Sequence, residues 1–353
     1  MAKVNIYPTN YELKEVLSSI TNRGFLNEFA QQKGIFITHV DTDTLAQEVS
    51  NLFLDNEDLE AIRKESYQSN SNHALSGFVV KSTDKKFDLK TNYQTIFDQA
   101  KFKFHQKPTQ LVKIKDTNIY RGSIEYVKKK AGRIEFLQDE VSQFEFYMEE
   151  VGPGAWRVEV DGTRSTDSKE LRDLIDEVIT KDTEVLILDQ ALLNTESSIL
   201  FFDRLANEGM AANYNFKTIT HLSIKRGSVD DNEDGEETDV VNSEDLVGIT
   251  QAILKGENLR ENQFVKQSVK SGYRFNAMTY EFAHKTEPYH LELKAEFKGR
   301  PKVFEVTIAN YQAGSGVGAA REKAVPSATQ SRKIRSEFWN KSKVIFDEII
   351  KRK

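Results

Sequence analysis

Cations interleaved with aromatic rings are the first pattern here with chemical meaning. Residues 81–133 hold 14 Lys/Arg against 5 Asp/Glu, and Phe87, Tyr93, Phe97, Phe102, Phe104, Tyr120 and Tyr126 are spaced among them. Lysine and arginine neutralise phosphates and release counterions, and aromatic rings on a sheet can stack unpaired bases. A strand pair with Lys113, Lys115 and Arg121 on one face would track a nucleic-acid backbone, with Lys128, Lys129, Lys130 and Arg133 extending it. A second block, residues 294–353, holds 14 Lys/Arg against 6 Asp/Glu and places Arg332, Lys333, Arg335, Lys341 and Lys343 on a C-terminal helix. Such a helix suits a phosphate backbone, a membrane surface or an acidic partner, and cations in its last turn also complement the helix dipole. The net charge of −6 over 353 residues therefore hides two basic segments inside an acidic remainder. Segment charge, not the global balance, sets a local field.

Reactive side chains give a second reading. Glu292-Leu293-Lys294 sits on an expected strand, where residues two apart share a face. This resembles the nucleases of the PD-(D/E)xK type. The resemblance implies an acid holding Mg²⁺ and a lysine stabilising charge on the attacked phosphate, with Glu281 or Glu287 in place of the upstream acid. His284 and His290, with Glu287 and Glu292 nearby, do not have a recognised metal-ligand spacing. Asp230-Asp231-Asn232-Glu233-Asp234-Gly235 follows the first half of an EF-hand loop, but Val241 stands where the bidentate Glu belongs. Gly314-Ser315-Gly316-Val317-Gly318 lacks the Gly-Lys-Ser/Thr ending of a P-loop. Cysteine is absent, which excludes disulfides, thiolate metal sites and a cysteine nucleophile. No apolar run reaches the ~18 residues of a membrane-spanning helix, and the first residues lack a signal-peptide core, so a cytoplasmic protein without a membrane partner is expected.

The elements that must position these groups follow from periodicity. Asn10 is the expected cap of a helix bearing Leu13, Val16, Leu17 and Ile20. A second helix carries Phe25, Leu26, Phe29 and Ala30 and stops at Gly34. An extended stretch follows over 35–40, then an Asp41- or Asp43-capped helix with Leu45, Val49, Leu52 and Phe53 on one face, then a short helix holding Leu59 and Ile62. The polar run 66–77 reads as a linker. Strands are expected over 110–115, 118–127, 133–137, 143–148 and 156–160, and a helix over 166–180. Further on, a strand over 184–188, a helix over 197–207 and a strand over 216–225 precede a Ser243-capped helix with Leu246, Ile249 and Ile253. Three antiparallel strands over 273–284, 290–297 and 302–310 come next. A Gly/Ser/Ala hinge at 313–320 then leads to a mobile helical arm from about Thr329, with Ile334, Phe338, Ile345 and Ile349 on its apolar stripe.

The order helix, glycine, extended segment, Asp/Thr-capped helix over 25–54 resembles the helix–extended–helix modules called SAP or HeH domains. That resemblance implies DNA binding. Those modules generally bring Lys/Arg to the second helix, whereas Asp41, Asp43 and Glu48 stand here, so a protein-docking role is equally open. The expected fold is α+β: a helical module at 1–65, a linker at 66–77, a β-rich basic domain at 78–165 and a mixed α/β domain at 166–353 ending in an amphipathic basic helix. The leading function is non-enzymatic binding of DNA or RNA without a cofactor, as an accessory protein of a bacterial or phage defence system. The alternatives are a Mg²⁺-dependent nuclease at Glu292, Lys294 and Glu281, and a subunit that meets only other proteins.

Overall fold

The computed structural model describes residues 7–19, 23–36, 41–68, 73–99, 102–103, 105–129, 139–177, 179, 181–226, 251–256, 259–299, 302–314, 321–324 and 326–352. In chain order the elements are α1 (Asn10–Ser19), α2 (Arg23–Gln32), α3 (Thr42–Ser50), α4 (Asn56–Gln68), β1 (Ala74–Ser82), α5 (Leu89–Asp98), β2 (Gln106–Pro108), β3 (Val112–Lys113), β4 (Ile119–Lys129), β5 (Asp139–Gly152) and β6 (Ala155–Gly162). They continue with α6 (Ser165–Asp176), β7 (Thr183–Leu186), α7 (Thr195–Glu208), β8 (Tyr214–Arg226), β9 (Gln251–Lys255), α8 (Gln263–Lys270), β10 (Tyr273–His284), β11 (Tyr289–Lys298), β12 (Val303–Gly314), β13 (Arg321–Lys323) and α9 (Ala328–Lys351). The class is α+β, as the sequence predicts. Among the described residues no helix is long and apolar enough to cross a membrane.

The chain divides into two units. One comprises Met1–Asn72, Ile96–Gln110 and Gly122–Phe144, and the other His73–Thr95, Leu111–Arg121 and Glu145–Lys353. In the first, α1 to α4 close around Leu13, Val16, Leu17, Leu26, Phe29, Leu45, Val49 and Ile62. Local chemistry fixes where these helices begin. Thr9, not Asn10, caps α1: its hydroxyl accepts from the Glu12 N–H at 3.3 Å while the Glu12 carboxylate accepts from the Thr9 N–H at 2.8 Å. Asp41 caps α3 by accepting from the Thr44 N–H at 2.8 Å, an arrangement worth about 1 kcal/mol. Gly34, at φ +81°, takes the left-handed conformation that ends α2. Helix α3 stops at Ser50, so Phe53 leaves its apolar face and stacks on Tyr7 instead. Ile20 and residues 37–40 lie outside the described residues.

In the second unit the strands run antiparallel in the order β5-β6-β1-β12-β11-β10-β8-β9. β1 pairs along its length with β6. Its other side pairs with β12 at Ala74 and Leu75 and with β7 from Val79 to Ser82. The largest core lies between the sheet and the helices α7 and α9, with Phe201, Phe202, Phe275, Phe297, Phe304, Phe338 and Trp339 at its centre. On the other face, α6 packs against β6, β1 and β12 through Leu171, Leu174 and Ile175.

Helix α9 joins this core through an apolar contact and a charged seam. The Trp339 ring lies over Gly77, where an added Cβ would stand 2.6 Å from the Val158 carbonyl and 3.0 Å from the indole. Beside it, β6 turns Arg157, Glu159 and Asp161 to the helix, consistent with the strand period of two. Arg335 forks onto Asp161 at 2.8 and 3.1 Å, and Arg332 reaches Glu159 at 3.1 Å. Ser336 and Asn340 also donate to Glu159, and the Arg332 guanidinium lies 4.0 Å from the centre of the Tyr147 ring. Burial alone would raise the Asp161 pKa, but hydrogen bonding from His73 and the Arg335 charge outweigh it and hold the carboxyl below its usual range.

Several elements differ from expectation. Residues 74–77, read as linker, open the central strand β1, and 66–68 belong to α4. Polar residues around Lys90 hide helix α5 inside a region read as β-rich. The Ile253 segment is strand β9 rather than helix, while residues 243–250 lie outside the described residues. The terminal helix is not a mobile arm, because Trp339, Phe338 and Ile345 are completely buried. Of the hinge before it, Gly314 donates to the Pro288 carbonyl at 3.0 Å, and 315–320 lie outside the described residues. The two units divide after residues 72, 95, 110, 121 and 144, the first of these inside the stretch 66–77.

Two outcomes follow for stability. Gly77→Ala forces the indole and the β6 backbone apart and lowers the unfolding free energy by about 1–3 kcal/mol in a urea titration. Arg335→Ala leaves the largely buried Asp161 carboxylate with His73 as its remaining charge-bearing neighbour and costs about 3 kcal/mol at pH 7. The folded Asp161 pKa is depressed, so the pair's contribution is complete above the ordinary carboxylate pKa and is lost as pH falls through the lower folded value. The difference between Arg335→Ala and the parent therefore shrinks in titrations at progressively more acidic pH.

Candidate nucleic-acid interface

Two loops of the second unit bring solvent-facing lysines together. The first is the β3–β4 hairpin. The Ile114 N–H donates to the Ile119 carbonyl at 2.9 Å, and Asp116 turns the chain at φ +60°, a conformation that Asp tolerates better than most residues. Lys113 and Lys115 are exposed on this hairpin. The second is the stretch from Ser82 to Lys90. It is pinned to the β5–β6 turn by the Ser82 N–H, which donates to the Gly154 carbonyl at 2.8 Å. Gly154 has φ +70°, and the Asp84 carbonyl lies 2.6 Å from where a Cβ would stand, so only glycine allows this approach. Asp84 then accepts from the Lys86 N–H and tightens a turn that exposes Lys85 and Lys86.

The loops meet through one aromatic contact. Lys90 Nζ lies 5.1 Å from the centre of the Tyr120 ring on β4, and Tyr120 in turn lies 6.4 Å from Trp156. The Trp156 indole donates to the Phe87 carbonyl at 3.3 Å, which anchors the residue after Lys86. Burial works against the Lys90 charge, but Asp88 and Tyr120 outweigh it, so its pKa is raised and it stays cationic. Lys85, Lys86, Lys113 and Lys115 make no ion pair among the described residues. The resulting surface is cationic and can take phosphate oxygens.

Register sorts the expected residues. Lys113 pairs with Tyr120 and Val112 with Arg121, so Lys113 and Arg121 project from opposite faces of the hairpin. Arg121 pairs instead with Glu145 at 3.4 Å. Lys128 and Lys129 lie on the far part of β4, in the other unit, with side chains outside the described residues; Lys130 and Arg133 also lie outside them. Arg332 and Arg335 face Glu159 and Asp161, and Arg335 is only 2% exposed, so both belong to the charged seam rather than to a solvent-facing patch. Lys333 is exposed on the same helix. Phe87, Tyr93 and Tyr126 are buried, and Phe97, Phe102 and Tyr120 are half-buried, while Phe104 lies outside the described residues. Most of the interleaved rings thus belong to the core, and Tyr120 lies against Lys90. Lys85, Lys86 and Lys90 escaped the residue-by-residue reading, although the charge count of 81–133 included them.

The carboxylate-bearing face of β10, β11 and β12 has a different character. Glu281 stands directly opposite Glu292, and Thr279 opposite Lys294, so the three residues of the nuclease alternative share one sheet face. Their side chains turn to other partners. Lys294 pairs with Glu296 at 2.6 Å, Glu281 with His290 at 3.2 Å, and Asn310 donates to Glu292 at 3.2 Å. His284 accepts from the Glu287 N–H at 3.0 Å and is engaged in its own turn. Among the described residues no group of three or more His, Asp or Glu side chains could hold a metal ion. The acidic loop at 230–241 lies outside the described residues. Glu305, on the same sheet, is buried; burial pushes its pKa up to about 7, with Lys298 opposing and Glu296 and Asp167 adding to the rise.

No family model matches this chain, and no curated protein matches it.

A raised acid pKa fixes a sign. Glu305 holds its proton more tightly in the folded state, so its contribution is complete below the unfolded carboxylate pKa and is lost as pH rises through about 7. Glu305→Gln, which is permanently neutral, unfolds at higher urea than the parent at pH 8, by roughly 2–3 kcal/mol, and the gap closes toward pH 5.

Proposed function

We propose that this chain binds nucleic acid through its phosphate backbone, using the cationic surface built by Lys85, Lys86, Lys90, Lys113 and Lys115. The observation that supports the reading is the convergence of two separate loops, joined at Lys90 and Tyr120, on an exposed set of lysines most of which have no internal counter-charge. The burial of Phe87 and Tyr93 favours phosphate tracking over base stacking. Binding of this kind is tolerant of sequence and sensitive to salt. The helical module at the N-terminal side, with Asp41, Asp43 and Glu48 on its third helix, is better suited to a protein contact than to DNA.

Fluorescence anisotropy of the full chain with a duplex oligonucleotide at several salt concentrations tests this. Each phosphate contact contributes about 0.9 to the slope of log affinity against log salt. Joint replacement of Lys85, Lys86, Lys113 and Lys115 by Ala then lowers that slope by roughly 3 to 4 while the urea midpoint stays unchanged. Salt-insensitive binding, or an unchanged slope in the variant, overturns the assignment. Mg²⁺-dependent cleavage of the same duplex that disappears in Glu292→Ala would move the function to the β10–β11 face.

A further inference from the structure

We propose that the first turn of α6 is a proton-operated latch on the sheet, closed while the Glu305 carboxyl is protonated and released once it ionises. Two buried acids meet at this interface. Helix α6 packs on β6, β1 and β12. Asp167, in its first turn, is completely buried, and Glu305, on β12, is only 3% exposed. Asp167 is committed to its anionic form. One of its oxygens accepts the Thr163 and Arg164 N–H groups at 3.0 Å each, which closes the turn from β6 into the helix. Gly162 admits this carboxylate, since an added Cβ would overlap it. Glu305 has no such donors: among the described residues its carboxyl takes part in no hydrogen bond.

The surrounding charges work against a second anion. Asp167 acts on Glu305 from α6. From β11 come Glu296, its direct cross-strand partner, and the cations Lys294 and Lys298. Lys294 is taken by Glu296 at 2.6 Å, and Lys298 is exposed to water, which screens it. On β1, Ala74 stands opposite Thr307, so Ser76 shares the face of Glu305 and adds no charge. On β6 the same face carries Val158, Val160 and Gly162, because Arg157, Glu159 and Asp161 turn to α9. An ionised Glu305 therefore meets burial and two like charges at once. Further along, α6 is anchored by Leu171, Leu174 and Ile175, so its first turn is where water reaches Glu305 at the least loss of apolar contact. The sign follows. The closed form holds the proton up to about pH 7, and the opened form releases it in the ordinary carboxylate range. Closure is thus fully favoured below that range and weakens as pH rises through about 7.

Amide hydrogen exchange of the full chain, read by mass spectrometry from about pH 5 to about pH 8 and corrected for the intrinsic rate, provides the test. Opening at the first turn of α6 is expected to rise by roughly 50-fold across that range and to level off above about pH 7, while peptides from α7 and α9 keep their protection. Glu305→Gln, neutral at every pH, stays closed and loses the pH dependence. Glu296→Gln removes one of the like charges facing Glu305, so the level-off moves to lower pH. Equal α6 protection at both ends of the range overturns the proposal, as does a rise that persists in Glu305→Gln or that α7 and α9 share equally. A level-off that stays in place in Glu296→Gln overturns it as well.

Discussion

The structure of the larger unit depends on how α9 is held to the sheet. One turn of this helix sets Trp339 into the space that Gly77 leaves open, and the neighbouring turns set Arg332 and Arg335 on the carboxylates of β6. The apolar contact fixes depth, since a Cβ at position 77 would lift the indole. The charged seam fixes rotation, since a helix turned by one residue would bury two guanidinium groups against hydrocarbon. Buried ion pairs are poor sources of net stability, and their better-attested value lies in specifying one arrangement over its neighbours. Here the seam explains why a helix with so many cations packs into the core.

That arrangement also separates two uses of positive charge. On α9, Arg332, Arg335, Lys341 and Lys343 each meet one of the protein's own carboxylates, and Arg204 on α7 bonds both Glu208 and Glu348. The lysines near β3 and α5 have few such partners. A basic segment is therefore not a basic surface. The difference lies in whether acidic residues distant in sequence fold against it, as Glu159 and Asp161 do against Arg332 and Arg335.

Much of the architecture is legible from periodicity, and its failures have identifiable causes. The strand over 273–284 has the expected limits because Phe275, Tyr280 and Phe282 combine β propensity with burial. The start of β1 is obscured by its composition: His73, Ser76 and Gly77 read as linker residues, and nothing local indicates that Gly77 is there to admit a ring from position 339. Arg332 and Arg335 look free because Glu159 and Asp161 are more than 170 residues away. Ile253 reads as part of a helix because Leu246 and Ile249 precede it at helical spacing, yet pairing with Ser223 places it on a strand. For the candidate site, composition identifies the segment, but cross-strand register decides the members. It separates Lys113 from Arg121, while a ring contact with Tyr120 brings in Lys90 from α5.

The place of β1 in the sheet has a consequence for how the chain reaches this structure. Its residues Ala74 and Leu75 pair with Thr307 and Val306, roughly 230 positions downstream. On a ribosome adding about 5–20 residues per second, that partner emerges on the order of ten to fifty seconds later. Until then Ala74 and Leu75 lack their β12 neighbour, and Gly77 lacks the α9 ring that lies over it. Topologies of this kind fold slowly and expose adhesive segments while they wait. The middle of the sheet is thus completed only after residue 307 has been made, however early its first strand emerges.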